Sequence, residues 1–145
     1  MYCISQEVYA EKFPYTKFPE APSDAYKQAI IRSCLELACL DAPKADEIVA
    51  TAKRSLRMAT DFVIEKDLLT LPPDPVEIII MPEFERGVSV AYCDSPGPLE
   101  VGMKTYYAVA PLPEDWSEQQ IRSFLREYNV RSIHDLTMHE AMPGH

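Results

Sequence analysis

The residues best suited to chemistry stand together in the run His139-Glu140-Ala141-Met142-Pro143-Gly144-His145. A histidine followed by a glutamate opens the zinc-peptidase pattern H-E-x-x-H. In that pattern two imidazoles four residues apart on one helix face chelate zinc, and the carboxylate activates a zinc-bound water. Zinc takes neutral imidazole nitrogens, and the reaction needs a carboxylate beside the metal that is not itself a ligand. Here the position four after His139 is Pro143, and the second histidine is His145. At about 100° per residue, a separation of six puts the two imidazoles roughly 120° apart around a straight helix. Pro143 also removes the amide that would bond the carbonyl of His139. A kink or π-bulge at Pro143-Gly144 is the distortion that would bring His145 round. His134 is five residues before His139, a poor spacing for one face, and reads as a surface or capping residue.

The elements that must position this run can be read backwards from it. A last helix is expected from about Ser132, after an interruption at Asn129. Residues 114–128 read as a helix with Ser117 as N-cap and Gln120 completing a capping box. Ile121, Phe124, Leu125 and Tyr128 share one of its faces. Before it, Val76–Ile80, Ser89–Cys93 and Thr105–Ala110 are β-branched or aromatic runs bounded by Pro and Gly. They predict a small antiparallel sheet of three strands over 76–111. Residues 23–71 predict an antiparallel helical hairpin. Its first helix is capped by Ser23 and runs to Leu40. Its second is capped by Asp41, carries Pro43 in its first turn and continues to about Lys66. Residues 1–22 form an irregular lead-in with a short helix at 5–12. The whole of 1–145 thus reads as one α+β unit, mainly helical.

Composition narrows the function classes. The chain has 145 residues with 47% hydrophobic and 26% charged, enough for a folded core in one domain. Its net charge of −9 and the lack of any Lys/Arg run with interleaved aromatics exclude nucleic-acid binding. No apolar run approaches the length of a membrane span, and the first residues have no signal-peptide pattern. A parent protein, cytoplasmic or exported, could still carry such a signal. The cysteines Cys3, Cys34, Cys39 and Cys93 form no C-x-x-C pair and read as buried free thiols.

Several blocks in order give a wider context. The blocks MPEFERGVSVAYCDSPGPLE at 81–100, TYYAVAPLPEDW at 105–116 and FLREYNVRSIHDLTMHEAMPGH at 124–145 resemble a large bacterial family known as a domain of unknown function. RMATDFVIEKDLLTLP in 57–72 resembles it more weakly. Members look like mostly helical zinc metallopeptidases with an H-E-A-x-P-G-H-H motif, of which HEAMPGH stands here. The resemblance implies a larger zincin-like helical fold, with His139 and His145 as metal ligands, Glu140 as general base, and Zn2+ as cofactor. It implies a third ligand, often a Glu, from a later helix, and a bulge in the motif helix. It also implies that an edge strand, 89–93 or 105–110, pairs with an extended peptide substrate. Tyr92, Tyr106 and Tyr107 then either stabilise an oxyanion or pack the sheet, and Arg86 and Glu100 read as structural ion partners.

Three functions follow as expectations. The first is a piece of a zinc-dependent peptidase, cut within its motif, inactive alone and binding zinc weakly because two imidazoles are too few. The second is a non-catalytic helical scaffold or peptide-binding module. The third is a remnant without independent function.

Overall fold

The computed structural model describes residues 1–144, so the expected ligand His145 lies outside the described residues. Five helices and three strands follow one another as α1 (Tyr2–Lys12), α2 (Asp24–Cys39), α3 (Ile48–Glu65), β1 (Glu77–Ile80), β2 (Ala91–Asp94), β3 (Tyr106–Val109), α4 (Glu118–Glu127) and α5 (Val130–Glu140). The architecture is α+β, as the residues predict.

Helix starts are set where a side chain satisfies the orphan amides of the first turn. Ser23 Oγ accepts from the Tyr26 amide at 3.2 Å and opens α2. At α4 the capping box is reciprocal. Ser117 Oγ accepts from Gln120 N–H at 3.4 Å, while Gln120 Oε1 accepts from Ser117 N–H at 2.9 Å. Asn129 does not merely interrupt the chain. Its Oδ1 accepts from Arg131 and Ser132 N–H at 3.0 and 3.2 Å, so it is the N-cap of α5, which starts two residues before Ser132.

Two expectations for 23–71 change. Asp41 does not cap α3. Its carbonyl accepts instead from the Val130 amide at 2.9 Å, tying this loop to the start of α5. Pro43 biases the residue before it toward extended backbone. A 3-10 turn at Ala45–Glu47 intervenes, and α3 begins only at Ile48. Nor do α2 and α3 pack along each other as a hairpin. The main partner of α2 is α1, and that of α3 is α5. The small residues Thr51, Ala52, Ser55 and Ala59 are buried along α3, which leaves room for a second helix to lie close.

The sheet order is β1-β3-β2. The β2–β3 pair is antiparallel, with Cys93 opposite Tyr107, but β1 and β3 run parallel, with Ile78 opposite Tyr107. The sheet is therefore mixed rather than purely antiparallel. The chain leaves β1, passes through β2 at one edge and returns to fill the middle position, which reverses direction twice. Helices α3 and α5 lie against the face carrying Ala91, Tyr107 and Val109. Ile48 and Ile133 complete this core at 2% and 0% exposure, each contributing about 1.5–3 kcal/mol by leaving water.

Candidate functional site

The last turn of α5 delivers His139 and Glu140 beside the sheet edge. Because β3 is central, both its edges are already paired. Thr105–Ala110 therefore cannot accept a substrate backbone, contrary to one of the two options raised by the resemblance. β2 is an edge strand. Ala110 N–H donates to Val90 C=O at 3.0 Å, so by antiparallel alternation Ala91 and Cys93 turn their amides away from β3. Both outward amides are occupied. Cys93 N–H donates to Glu140 Oε2 at 3.2 Å, and Ala91 N–H donates to Ser89 Oγ at 3.2 Å. The Glu140 side chain is half-buried in this position, whereas His139 is exposed.

Behind Glu140 lies a polar column that residue spacing did not reveal. Tyr107 is fully buried, and its hydroxyl lies 3.3 Å from Thr137 Oγ1. Thr137 Oγ1 donates to the carbonyl of Ile133 at 2.7 Å, so the phenol is the donor to Thr137. Burial pushes the Tyr107 phenol above its ordinary pKa, and the nearby Glu140 carboxylate adds to this. Tyr107 is thus a packed strut next to the carboxylate. Tyr92 instead lies beside Glu85, whose carboxylate pushes the phenol up to about 12.

The helix widens directly after Glu140. Ala141 and Met142 N–H both donate to the Thr137 carbonyl, at 2.9 and 3.1 Å, the second being a π-type bond. Gly144 N–H then reaches the Met138 carbonyl at 3.0 Å. Gly144 has φ +55°, and a Cβ there would stand 2.6 Å from Ala141 N. The distortion expected near Pro143-Gly144 therefore begins just before it, with the Met142 amide that returns to Thr137. Among the described residues no three His, Cys, Asp or Glu side chains are grouped to hold a metal ion. The described part of the run thus supplies one exposed histidine, His139, followed by one anchored carboxylate, Glu140.

The remaining expectations are local. His134 is half-buried rather than at the surface, and its buried Nδ1 makes no hydrogen bond among the described residues. Among the described residues Arg86 and Glu100 make no ion pair. Arg86 Nε donates to the Met81 carbonyl at 3.0 Å, and Glu100 Oε2 accepts from Gly97 N–H at 2.7 Å. All four cysteines are free, Cys3 exposed and the others half-buried.

The model of the family described as "Bacterial protein of unknown function (DUF885)" matches residues 17–145. The chain belongs to the DUF885 family. A solved structure, that of a candidate lipoprotein of unknown function from Shewanella oneidensis, is similar at 30% identity with a TM-score of 0.70. The likeness covers 99% of this chain and 24% of that one, so this DUF885 chain spans about a quarter of the similar protein. No curated protein matches. No helix among the described residues is long and apolar enough to cross a membrane.

Proposed function

We propose that this chain carries part of the catalytic centre of a zinc-dependent peptidase, with His139 and His145 as metal ligands and Glu140 as general base. The observation that carries this reading is the Glu140 carboxylate, held by the Cys93 amide on the outer edge of β2, in the residue that follows the exposed His139. A base must be held within hydrogen-bond reach of the proton it takes, and here an edge-strand amide holds the carboxylate. When bound, zinc would polarise the scissile carbonyl and acidify a water. Glu140 would take that water's proton and pass it to the leaving amine. The exposed side of His139 would face the metal. A third ligand, an acidic residue of a later helix, would come from elsewhere in a longer protein. The chain of 145 residues alone would bind zinc weakly.

The test is peptide hydrolysis by the intact protein before and after a chelator. Loss of cleavage, and its return with added zinc, supports the reading. Cleavage indifferent to the chelator contradicts it.

A further inference from the structure

A cleft of about 830 Å³ opens where β2 begins and β3 ends, floored by the N-terminal lead of β2 and walled by α4. One wall is aromatic. Trp116 and Phe124 meet edge to face with centroids 5.3 Å apart, and Phe124 and Tyr128 stack tilted, also at 5.3 Å. Leu112 and Val88 extend the apolar lining. Tyr128 is 7% exposed and its hydroxyl, buried, has no hydrogen-bond partner among the described residues. An apolar cleft with a few polar groups is the usual form of a site for a bulky side chain. The rim carries the carboxylates of Glu83, Glu114 and Asp115 against the single guanidinium of Arg86.

The cleft and the catalytic candidate share one strand edge. Ser89, in the cleft, caps the outward amide of Ala91, and Glu140 takes the next outward amide, that of Cys93. Two residues of extended strand separate these amides by about 7 Å. A peptide passing along the outer side of β2, over Ser89 and Glu140 rather than paired to the occupied amides, with its scissile bond at Glu140 therefore brings a neighbouring side chain to the cleft.

We infer that this cleft is a side-chain specificity pocket, taking a bulky aromatic or aliphatic residue of a peptide and disfavouring an acidic one. This rests on the peptidase reading for its place in catalysis, but binding can be measured without catalysis. The intact protein is assayed on matched peptides carrying Phe, Gly or Glu at one position, and binding of the same peptides to the Glu140→Gln protein is followed by calorimetry. Trp116→Ala should lower affinity and kcat/KM for the Phe peptide about tenfold and leave the Gly peptide within about twofold. Val88→Trp changes a residue 93% exposed, so the fold tolerates it, and should block the Phe peptide in the same way. Reversing the rim with Glu114→Lys should raise binding of the Glu peptide. Trp116-dependent binding without cleavage by the unaltered protein would keep the pocket and remove the peptidase reading. Cleavage with equal preference for the three peptides, unchanged in both Trp116→Ala and Val88→Trp, would overturn the pocket and leave the peptidase reading standing.

Discussion

Cys93 and Glu140 are 47 positions apart in the chain, and the backbone amide of the first holds the carboxylate of the second at 3.2 Å. The contact joins the outer edge of β2 to the last turn of α5. It depends on the mixed order of the sheet, because only an edge strand has an outward amide to give. It also fills a position that would otherwise present an unpaired sheet edge.

Removing that amide without disturbing the ladder is possible. Proline is tolerated on the open side of an edge strand, so Cys93→Pro should fold. A hydrogen bond to a charged group contributes about 1.5–3 kcal/mol. Peptide hydrolysis by the intact protein is therefore expected to fall roughly ten- to a hundredfold, while Cys93→Ala, which keeps the amide, changes it little. Equal losses in both variants would show that the side chain matters and the amide does not.

Tyr107→Phe removes one buried hydroxyl and keeps the ring. Thr137 retains its bond to the Ile133 carbonyl, so no new orphan is created. The cost should be about 1 kcal/mol in denaturant unfolding. Tyr107→Ala should cost several-fold more, about 3–5 kcal/mol, because it opens a cavity at a fully buried site.

Gly144 occupies left-handed backbone in a turn with no room for a Cβ. Gly144→Ala should force the turn after Glu140 to rearrange, beyond the ~1–2 kcal/mol that left-handed backbone costs an L-residue. In the intact protein the expected result is a loss of zinc affinity of about ten- to a hundredfold together with a fall of a few degrees in thermal midpoint. Unaltered zinc content would show that this turn does not set the metal site.

Part of this was legible from local chemistry. Ser23, Ser117 and Gln120 act on amides within three residues, so their helix starts follow from spacing alone, and the β-branched runs marked all three strands. Asn129 interrupts the apolar pattern and so reads as a break, although its short amide side chain suits a cap equally well. The parallel β1–β3 pairing and the α3–α5 packing depend on partners far along the chain, which periodicity does not specify. The Cys93–Glu140 contact was hidden for another reason. A backbone amide carries no residue signature, so no motif could have pointed to it. The aromatic cleft was likewise unmarked, since Trp116, Phe124 and Tyr128 also satisfy a plain helical packing pattern.

Alkaline pH should weaken the fold through its phenols. The Glu85 carboxylate raises the Tyr92 pKa from 10.0 to about 12, and burial raises those of Tyr107 and Tyr128. A raised pKa means that the folded state holds the proton more tightly than the unfolded one. The associated stability is complete below pH 10 and is lost as pH rises toward 12 and beyond. Thermal midpoints measured across that window should fall, and Tyr92→Phe should flatten the early part of the decline.

The most direct measurement pairs zinc content with peptide hydrolysis for Glu140→Gln in the intact protein. The substitution keeps shape and hydrogen-bonding capacity but removes the base. Hydrolysis should drop by about 10²–10⁴-fold while bound zinc stays at the unaltered level. Undiminished cleavage by Glu140→Gln would contradict the assignment of Glu140 as the base and, with it, the peptidase reading.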